Sequence, residues 1–234
     1  MTVEQPRDDF VTFDRSFADA EPGRWVHVEG AANTRDAGGY PTTTGQTVRR
    51  GAIYRSGKLH RITTAGAATY RDLGIRTVID FRNRLTPWPL FGGDAWAVQF
   101  TSSVHGCPMS FRKHEPRDEF YVRGVRDNAD AFRNAFALLA EPANYPVLYH
   151  CAIGVDRTGV MSALLLSLLD VDRDTIIADF RLSEQVDLPG NLRAMHRLFD
   201  EIDAAGGLAP YLRQIGVDDD MQRAIRAALL EPAA

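Results

Sequence analysis

The segment from Val147 to Leu169 restricts the fold of this chain more than any other part, because two apolar runs enclose a short loop with charged residues. The first run, Val147-Leu148-Tyr149, has the length of a buried strand, and the second, from Val160 to Leu169, has the length of a helix. Between them, residues 150–159 read His-Cys-Ala-Ile-Gly-Val-Asp-Arg-Thr-Gly. The pattern predicts a strand, a tight loop and a central buried helix, as in an α/β fold.

The loop between this strand and helix has the composition of an anion-binding site. Gly154 permits a tight turn in which successive backbone N–H groups point inward. The N-terminus of the following helix adds partial positive charge at the same place. We therefore expect the loop to bind a tetrahedral oxyanion such as phosphate. The residues expected to contact it are Ala152, Ile153, Gly154, Val155, Arg157 and Thr158.

The loop also carries the residue types of a nucleophilic reaction at phosphorus. A thiol beside a helix N-terminus and a cation ionises more readily than a free thiol, so Cys151 is the expected nucleophile. Arg157 can hold two phosphoryl oxygens with its planar guanidinium. Asp156 is the expected general acid, Thr158 can donate its hydroxyl to the sulfur, and His150 is expected to brace the loop. This chemistry requires no metal and no cofactor.

Each of these residues also has an ordinary structural explanation. A lone cysteine at a strand end is usually a small buried hydrophobe, and Asp-Arg at a helix start is often a cap with a surface ion pair. The spacing, the glycine and the flanking elements together favour the phosphate site. They do not identify the ester, and they leave two alternatives open: a sulfurtransferase with a similar loop, and a phosphate-binding module without catalysis.

Residues 150–159 resemble the loop of the bacterial tyrosine-phosphatase-like family, the group that includes mycobacterial phosphatase B, which reads His-Cys-x-x-Gly-Lys-Asp-Arg-Thr-Gly. Other segments match the family in the same order along the chain. They are an Asn-x-Arg-Asp-x-Gly-Gly signature at 33–40, a Tyr-Arg-Ser-Gly segment within 50–57, an Asp-x-Arg strand within 73–82 and a post-loop helix at 178–183. The resemblance covers about residues 25–230.

The resemblance implies a cysteine-dependent phosphomonoesterase of phosphotyrosine, in some members also of phosphoserine, phosphothreonine or phosphoinositides, with the loop aspartate as general acid. Val155 departs from the family pattern, because the usual lysine is lost. That lysine is associated with highly anionic substrates, so its loss disfavours inositol lipids and leaves room for a small phosphorylated metabolite. Residues 83–86 also lack the acidic residue that commonly follows the Asp-x-Arg strand.

Asp80 and Arg82 are two candidate supporting residues, because open α/β sheets bind ligands at the carboxyl ends of their strands. They stand at the carboxyl end of an apolar strand predicted over Thr77 to Phe81. A structural ion pair beneath the loop explains them equally well.

Three further candidates are Arg35, Arg55 and Lys58. Arg35 could line the pocket together with Asp36, although Asp36 ahead of two glycines is also typical of a turn. Arg55 and Lys58 could contact phosphate or tie residues 56–57 to a neighbouring segment, and the second interpretation is favoured.

Cys107 could form a protective disulfide with Cys151, but a buried structural thiol is the preferred interpretation. Residues 112–117 form a basic segment that faces either an acidic substrate or solvent.

Composition indicates one globular domain of 234 residues, with a polar N-terminal arm at 1–24 and a catalytic domain at 25–234. The net charge of -4 disfavours nucleic acid as a partner, so the expected partner is a phosphorylated protein or a small phosphate ester. Two cysteines fit a reducing compartment, and no secretory signal or apolar run long enough to span a bilayer is visible. We expect a cytoplasmic protein, with signal-independent export left open.

The remaining pattern predicts strands alternating with helices, and hence a mostly parallel central sheet with helices on both sides. Expected strands are 25–28, 53–54, 77–81, 96–104 and 147–149. Expected helices run from a Thr63 or Thr64 cap to Gly74, over 130–139, over 160–169, from an Asp172 or Asp174 cap, over 192–202 before Gly206-Gly207, and from residues 218–220.

Overall fold

The computed structural model describes residues 23–82, 102–111, 117–183 and 188–232, which contain both strands and helices. The strands are β1 (Arg35–Asp36), β2 (Gln46–Val48), β3 (Ile53–Ser56), β4 (Thr77–Asp80), β5 (Ser103–Gly106), β6 (Val147–His150) and β7 (Leu230–Pro232). The helices are α1 (Thr64–Asp72), α2 (Phe120–Asp127), α3 (Ala129–Leu139), α4 (Asp156–Leu168), α5 (Arg173–Arg181), α6 (Leu188–Ala204), α7 (Leu208–Gln214) and α8 (Asp219–Leu229).

The central sheet has five strands in the order β1-β3-β6-β4-β5. Strands β3, β6, β4 and β5 are parallel, whereas β1 pairs antiparallel with β3. In the register of the sheet, His150 lies opposite Ser56 on one side and Asp80 on the other. The carboxyl ends of three parallel strands therefore meet at one edge of the sheet, and the predicted α/β fold with a mostly parallel sheet is confirmed.

Both faces of the sheet are covered, which explains why its central strand is a continuous apolar run. Val147 and Tyr149 of β6 belong to the larger core, which the long helices build, and Leu148 belongs to a smaller core beneath α1. Almost every residue of α4 is buried against the larger core. The central helix and the helices on both sides of the sheet are thus as the sequence predicted.

Polar residues cap the helices where the sequence indicated. Thr63 accepts a hydrogen bond from the Gly66 amide at 3.2 Å at the start of α1, and Gly74 follows that helix with φ of 69°. Asp172 caps α5 by accepting from the amide of Thr175 at 2.9 Å. Such side-chain acceptors pair backbone N–H groups that have no partner within the helix. The residues at which these helices begin can therefore be inferred from the neighbouring sequence.

Short strands were the weakest part of the prediction. The strand expected at 25–28 is wrong, because Trp25 and Val28 form only isolated bridges, to Arg35 and Ala31. The chain reverses at Gly30, whose φ is 84°, so no continuous ladder can form there. The strand expected at 96–104 overlaps β5 only at 103–104, and its positions 96–101 lie outside the described residues. The pattern did not predict β1, β2, β7, α2 or α7.

The N-terminal arm predicted at 1–24 lies outside the described residues except for its last two. Arg24 is buried and donates to the carbonyl oxygens of Asp36 and Gly38 at 3.0 and 2.7 Å. The division at residues 24 and 25 remains a prediction. Among the described residues, none of the helices combines the length and the apolar character needed to cross a bilayer.

Candidate active site

The loop of residues 151–155 joins β6 to α4 and wraps around the sulfur of Cys151. The backbone amide of Gly154 donates a hydrogen bond to Cys151 Sγ at 3.3 Å. Gly154 has φ of 77°, and a Cβ there would lie 2.8 Å from Asn33 Nδ2 and 2.9 Å from Ser56 O. Both its backbone conformation and the crowding behind it therefore require glycine.

The carbonyl groups of the loop are held on the side away from the sulfur. Arg55 Nη2 and Asn33 Nδ2 donate to Gly154 O at 2.8 and 3.0 Å, and the Lys58 amide donates to Ala152 O at 3.0 Å. In a trans peptide the C=O and the next N–H point in opposite directions. These bonds therefore direct the amides of Ile153 and Val155 toward the sulfur side, beside the Gly154 amide.

A buried ion cluster stands behind the loop. Asp179 Oδ1 and Oδ2 lie 3.1 Å from Arg35 Nε and 2.6 Å from Arg55 Nη1, and all three side chains are at most 1% exposed. Burial raises the pKa of Asp179, but the two guanidinium groups outweigh burial and lower the pKa below its ordinary value. The Tyr40 hydroxyl donates to the same carboxylate at 3.0 Å. Asp179 therefore stays ionised and fixes Arg55, which in turn holds the loop.

Arg35 lies behind the loop, and its guanidinium bonds to buried polar groups of the protein. Its guanidinium donates to Asn33 Oδ1 and, at 2.9 Å, to Ser183 Oγ, in addition to Asp179. Asp36 accepts from the Gly38 amide at 2.7 Å, as expected for a turn. The exposed side chain of Lys58 lies beside the loop, to which its backbone is bonded. Arg55 contacts the loop through its guanidinium and Lys58 through its backbone amide.

Asp80 and Arg82 form a bidentate, buried ion pair next to His150. Arg82 Nε lies 3.0 Å from Asp80 Oδ1, and Arg82 Nη2 lies 2.9 Å from Asp80 Oδ2. His150 Nε2 lies 3.6 Å from Asp80 Oδ1, and its Nδ1 lies 3.1 Å from Cys151 O. Burial lowers the pKa of His150 despite the nearby Asp80 carboxylate. The imidazole is therefore neutral near pH 7. Its Nδ1 bonds to the loop backbone at Cys151 O, whereas Nε2 has no hydrogen-bond partner among the described residues.

Arg157 and Thr158 occupy the first turn of α4. Arg157 Nη1 donates to Phe81 O at 3.0 Å and to Met109 O at 3.3 Å, so one end of the guanidinium is anchored by backbone groups. Thr158 is fully buried, and within the described part of the chain its hydroxyl has no hydrogen-bond partner. The predicted hydrogen bond from Thr158 to the sulfur is thus not formed in this structure.

Asp156, the first residue of α4, is half-buried and directly follows the loop. The Tyr121 hydroxyl donates to Asp156 Oδ1 at 2.8 Å. Burial raises the pKa of the Asp156 carboxyl, while the Tyr121 hydrogen bond and the charges of Arg117 and Arg157 act in the opposite direction. A carboxyl group in this environment holds a proton at higher pH than an exposed aspartate, as a general acid requires.

The remaining candidates are apolar or thiol side chains. Val155 is 3% exposed and packs in the larger core, so a contact with a bound phosphate would come from its backbone. Ile153 is 37% exposed beside the loop. Cys107 is a buried free thiol, and burial together with Asp80 raises its pKa to about 11. Of the basic segment, residues 112–116 lie outside the described residues, as do positions 83–86.

Sequence reasoning missed the role of Asp179 and of Tyr121. Asp179 had a usable signal, because it follows Ile176 by three residues and precedes Phe180 on the buried side of α5. A carboxylate on the apolar side of a helix predicts a buried partner. Tyr121 lies on α2, which the pattern did not predict, so nothing local connected it to Asp156.

The chain is similar in sequence to tyrosine phosphatases. A sequence model described as the tyrosine phosphatase family matches residues 26–231. A Cupriavidus necator protein named as an inferred tyrosine-protein phosphatase is 31% identical over an alignment of 191 positions, and the match covers 76% of this chain and 68% of the relative. The triple specificity protein phosphatase PtpB of Mycobacterium tuberculosis is 29% identical over an alignment of 194 positions, and the match covers 65% of this chain and 67% of the relative.

Solved structures with partial similarity include two proteins. The core catalytic domain of the S. cerevisiae PP-IP phosphatase Siw14 superposes with a TM-score of 0.44 at 16% identity and covers 66% of this chain and 86% of that chain. The P. aeruginosa protein TpbA superposes with a TM-score of 0.40 at 19% identity and covers 77% of this chain and 90% of that chain.

Proposed function

Because the chain belongs to the tyrosine phosphatase family, and is therefore a phosphatase, we propose that it hydrolyses phosphomonoesters of phosphotyrosine or dual-specificity type through a cysteinyl-phosphate intermediate. The observation that carries the proposal is the loop around Cys151. The Gly154 amide donates to the sulfur, and the outward carbonyls of Ala152 and Gly154 turn the neighbouring amides to the same side. Such an arrangement stabilises a thiolate and the anionic oxygens of a phosphoryl group above it.

In the first step, Cys151 Sγ attacks phosphorus as the bond to the ester oxygen breaks. The Asp156 carboxylic acid donates its proton to the departing oxygen, so that the product leaves as a neutral alcohol or phenol. The loop amides and the Arg157 guanidinium hold the equatorial oxygens. The backbone anchor from Arg157 to Phe81 O supports this orientation.

In the second step, water attacks the cysteinyl-phosphate. The Asp156 carboxylate accepts a proton from the water, and the phosphorus–sulfur bond breaks to release phosphate and the Cys151 thiolate. The buried Thr158 hydroxyl has no hydrogen-bond partner among the described residues and is therefore available to donate to the sulfur as negative charge returns. His150, Asp80 and Arg82 hold the base of the loop.

The substrate proposed is a phosphorylated protein or a small apolar phosphate ester. Two observations favour it over a polyanionic inositol lipid. The loop has Val155 where the family has lysine, and that side chain is packed in the core. The exposed loop side chain is the apolar Ile153, which can contact an aromatic or aliphatic leaving group. A phosphorylated metabolite is the second candidate substrate class.

We also propose a cytoplasmic location and no nucleic-acid partner. The two cysteines are both free and buried, which suits a reducing compartment. The net charge of -4 opposes association with a polyanion.

The proposal is tested by assaying phosphotyrosine peptide, phosphoserine peptide, phosphoinositide and small phosphorylated metabolites side by side. Cys151→Ser should abolish turnover and retain vanadate binding, because serine oxygen is a far weaker nucleophile at the same place. Asp156→Asn should lower kcat by about 100-fold or more for phosphotyrosine and much less for nitrophenyl phosphate, whose leaving group needs less protonation. Residual activity of Cys151→Ser above a few per cent would contradict the nucleophile assignment.

The same assays separate the alternatives. Thiosulfate turnover without phosphatase activity would support a sulfurtransferase, and phosphopeptide binding without hydrolysis at any pH would support a non-catalytic module. Equal losses by Asp156→Asn on both esters would move the general acid elsewhere, with Asp80 as the next candidate.

A further inference from the structure

Tyr121 is a buried tyrosine whose hydroxyl meets the carboxyl group of Asp156. The side chain is 0% exposed, and its hydroxyl donates to Asp156 Oδ1 at 2.8 Å. The ring centroid lies 6.3 Å from that of Phe111, 5.3 Å from Phe120 and 6.1 Å from Phe180. Because close aromatic packing on several sides leaves the ring one orientation, the hydroxyl has a fixed position.

We propose that Tyr121 is a positioning residue for phosphoryl transfer, whose hydroxyl fixes the Asp156 carboxyl so that the second oxygen, Oδ2, carries the proton to the leaving group. The inference rests on the acid role proposed above for Asp156. A carboxylic acid bears one proton, and the oxygen that accepts a hydrogen bond is the less suitable site for it. The Tyr121 hydroxyl bonds to Oδ1, which assigns the proton to the opposite oxygen.

The phenol itself does not serve as the acid. Burial raises the pKa of Tyr121 well above its ordinary value, and the neighbouring Asp156 acts in the same direction. The hydroxyl therefore remains protonated throughout the working pH range, and its proton is already directed at Asp156. Tyr121 acts through Asp156 and not on the substrate.

The groups that face Asp156 come from several elements. Tyr121 reaches it from α2, Arg117 from the 3-10 turn at Arg117–Glu119, and Arg157 from α4 itself. The sulfur of Cys151 adds to the rise in the pKa of Tyr121 that burial and Asp156 produce. Burial is the largest effect on the Asp156 pKa and raises it, and the Tyr121 hydrogen bond is the largest effect that lowers it. Loss of the hydroxyl should therefore raise that pKa further.

The test compares wild type with Tyr121→Phe, Asp156→Asn, the double variant and a control, Tyr149→Phe. Tyr149 is also 0% exposed and also loses one hydrogen bond of 2.9 Å, but that bond joins its hydroxyl to Ser162 Oγ and not to Asp156. The measurements are kcat for phosphotyrosine peptide and for nitrophenyl phosphate, and the pH profile of kcat with the peptide. Urea unfolding of each variant measures the change in stability.

Tyr121→Phe should lower kcat for the peptide about tenfold and for nitrophenyl phosphate less than about threefold, since only the poorer leaving group depends strongly on the acid. The alkaline limb of the peptide profile should move to higher pH, because the lost Tyr121 hydrogen bond lowers the pKa of Asp156 in the wild type. Tyr149→Phe should change stability without either effect. In the Asp156→Asn background, Tyr121→Phe should have no further effect on kcat, because both changes act through one group.

The inference is overturned if Tyr121→Phe lowers kcat equally for both esters, leaves the alkaline limb in place, or lowers the activity of Asp156→Asn further. An inactive wild type would contradict both the proposed function and this inference. An active wild type whose Tyr121→Phe variant matches Tyr149→Phe would remove this inference alone.

Discussion

Asp179→Asn breaks the buried ion cluster behind the loop with little change of shape. Asp179 lies 2.6 Å from Arg55 and 3.1 Å from Arg35, and it also accepts from Tyr40 at 3.0 Å. The asparagine keeps a hydrogen-bonding side chain of nearly the same size but removes the negative charge. Two guanidinium groups at 0% exposure then face one another without an anion.

The size of the effect follows from that burial. Removing one partner of a buried ion pair destabilises a protein by about 3–5 kcal/mol, because the remaining charge has lost its solvation and its partner. Small domains have an unfolding free energy of about 5–15 kcal/mol, so the variant should fold but with a much smaller free energy of unfolding. At about 3 °C per kcal/mol for a chain of this size, Tm should fall by about 10–15 °C.

Urea unfolding at neutral pH, followed by circular dichroism, measures this loss as a lower midpoint. The matched control is Asp203→Asn, whose carboxylate pairs with Arg173 on the surface, where the two side chains are 57% and 50% exposed. The control should leave the midpoint unchanged, since exposed pairs contribute little. If Asp179→Asn shifts the midpoint no more than Asp203→Asn, the cluster is not a stabilising unit and our account of the loop is refuted.

The pH dependence of the difference gives an independent check. Although burial opposes ionisation, the guanidinium groups of Arg35 and Arg55 lower the pKa of Asp179 in the folded state. Its contribution is therefore complete above the unfolded pKa of about 3.9 and is lost as pH falls through the folded value. The gap between wild type and Asp179→Asn should stay constant near neutrality and narrow only in strong acid.

Three further outcomes are expected. Gly154→Ala should lower the free energy of unfolding by more than about 1 kcal/mol, since φ is 77° and the new Cβ would lie 2.8 Å from Asn33 Nδ2; an unchanged urea midpoint would contradict the crowding seen behind the loop. Because burial raises the pKa of Cys107 to about 11, native Cys151→Ser should take up almost no iodoacetamide at pH 7 and one equivalent after denaturation, measured by mass spectrometry. Activity should persist in EDTA, since the proposed nucleophile is sulfur; a loss reversed by added metal would count against that mechanism.

The sequence alone determined the features that depend on neighbouring residues. The apolar run before Cys151, the glycine within the loop and the apolar run after Arg157 together predicted the strand, the loop and the buried helix, all of which the structure confirms. Caps such as Thr63 and Asp172 are equally local, because they pair amides within the next three residues. Hydrophobic periodicity and capping act over one or two turns and can be read directly.

Only the tertiary structure decided which distant residues meet. The strand order brings Ser56, Asp80 and His150 to one edge, and the helix packing brings Asp179 to Arg55 across 124 positions of sequence. The same holds for Tyr121 and Asp156, which are 35 positions apart. An arginine in a sequence can bind substrate or a buried carboxylate with the same chemistry. The partner is chosen by the packing of the whole core, where an unpaired charge or donor would be too costly to keep.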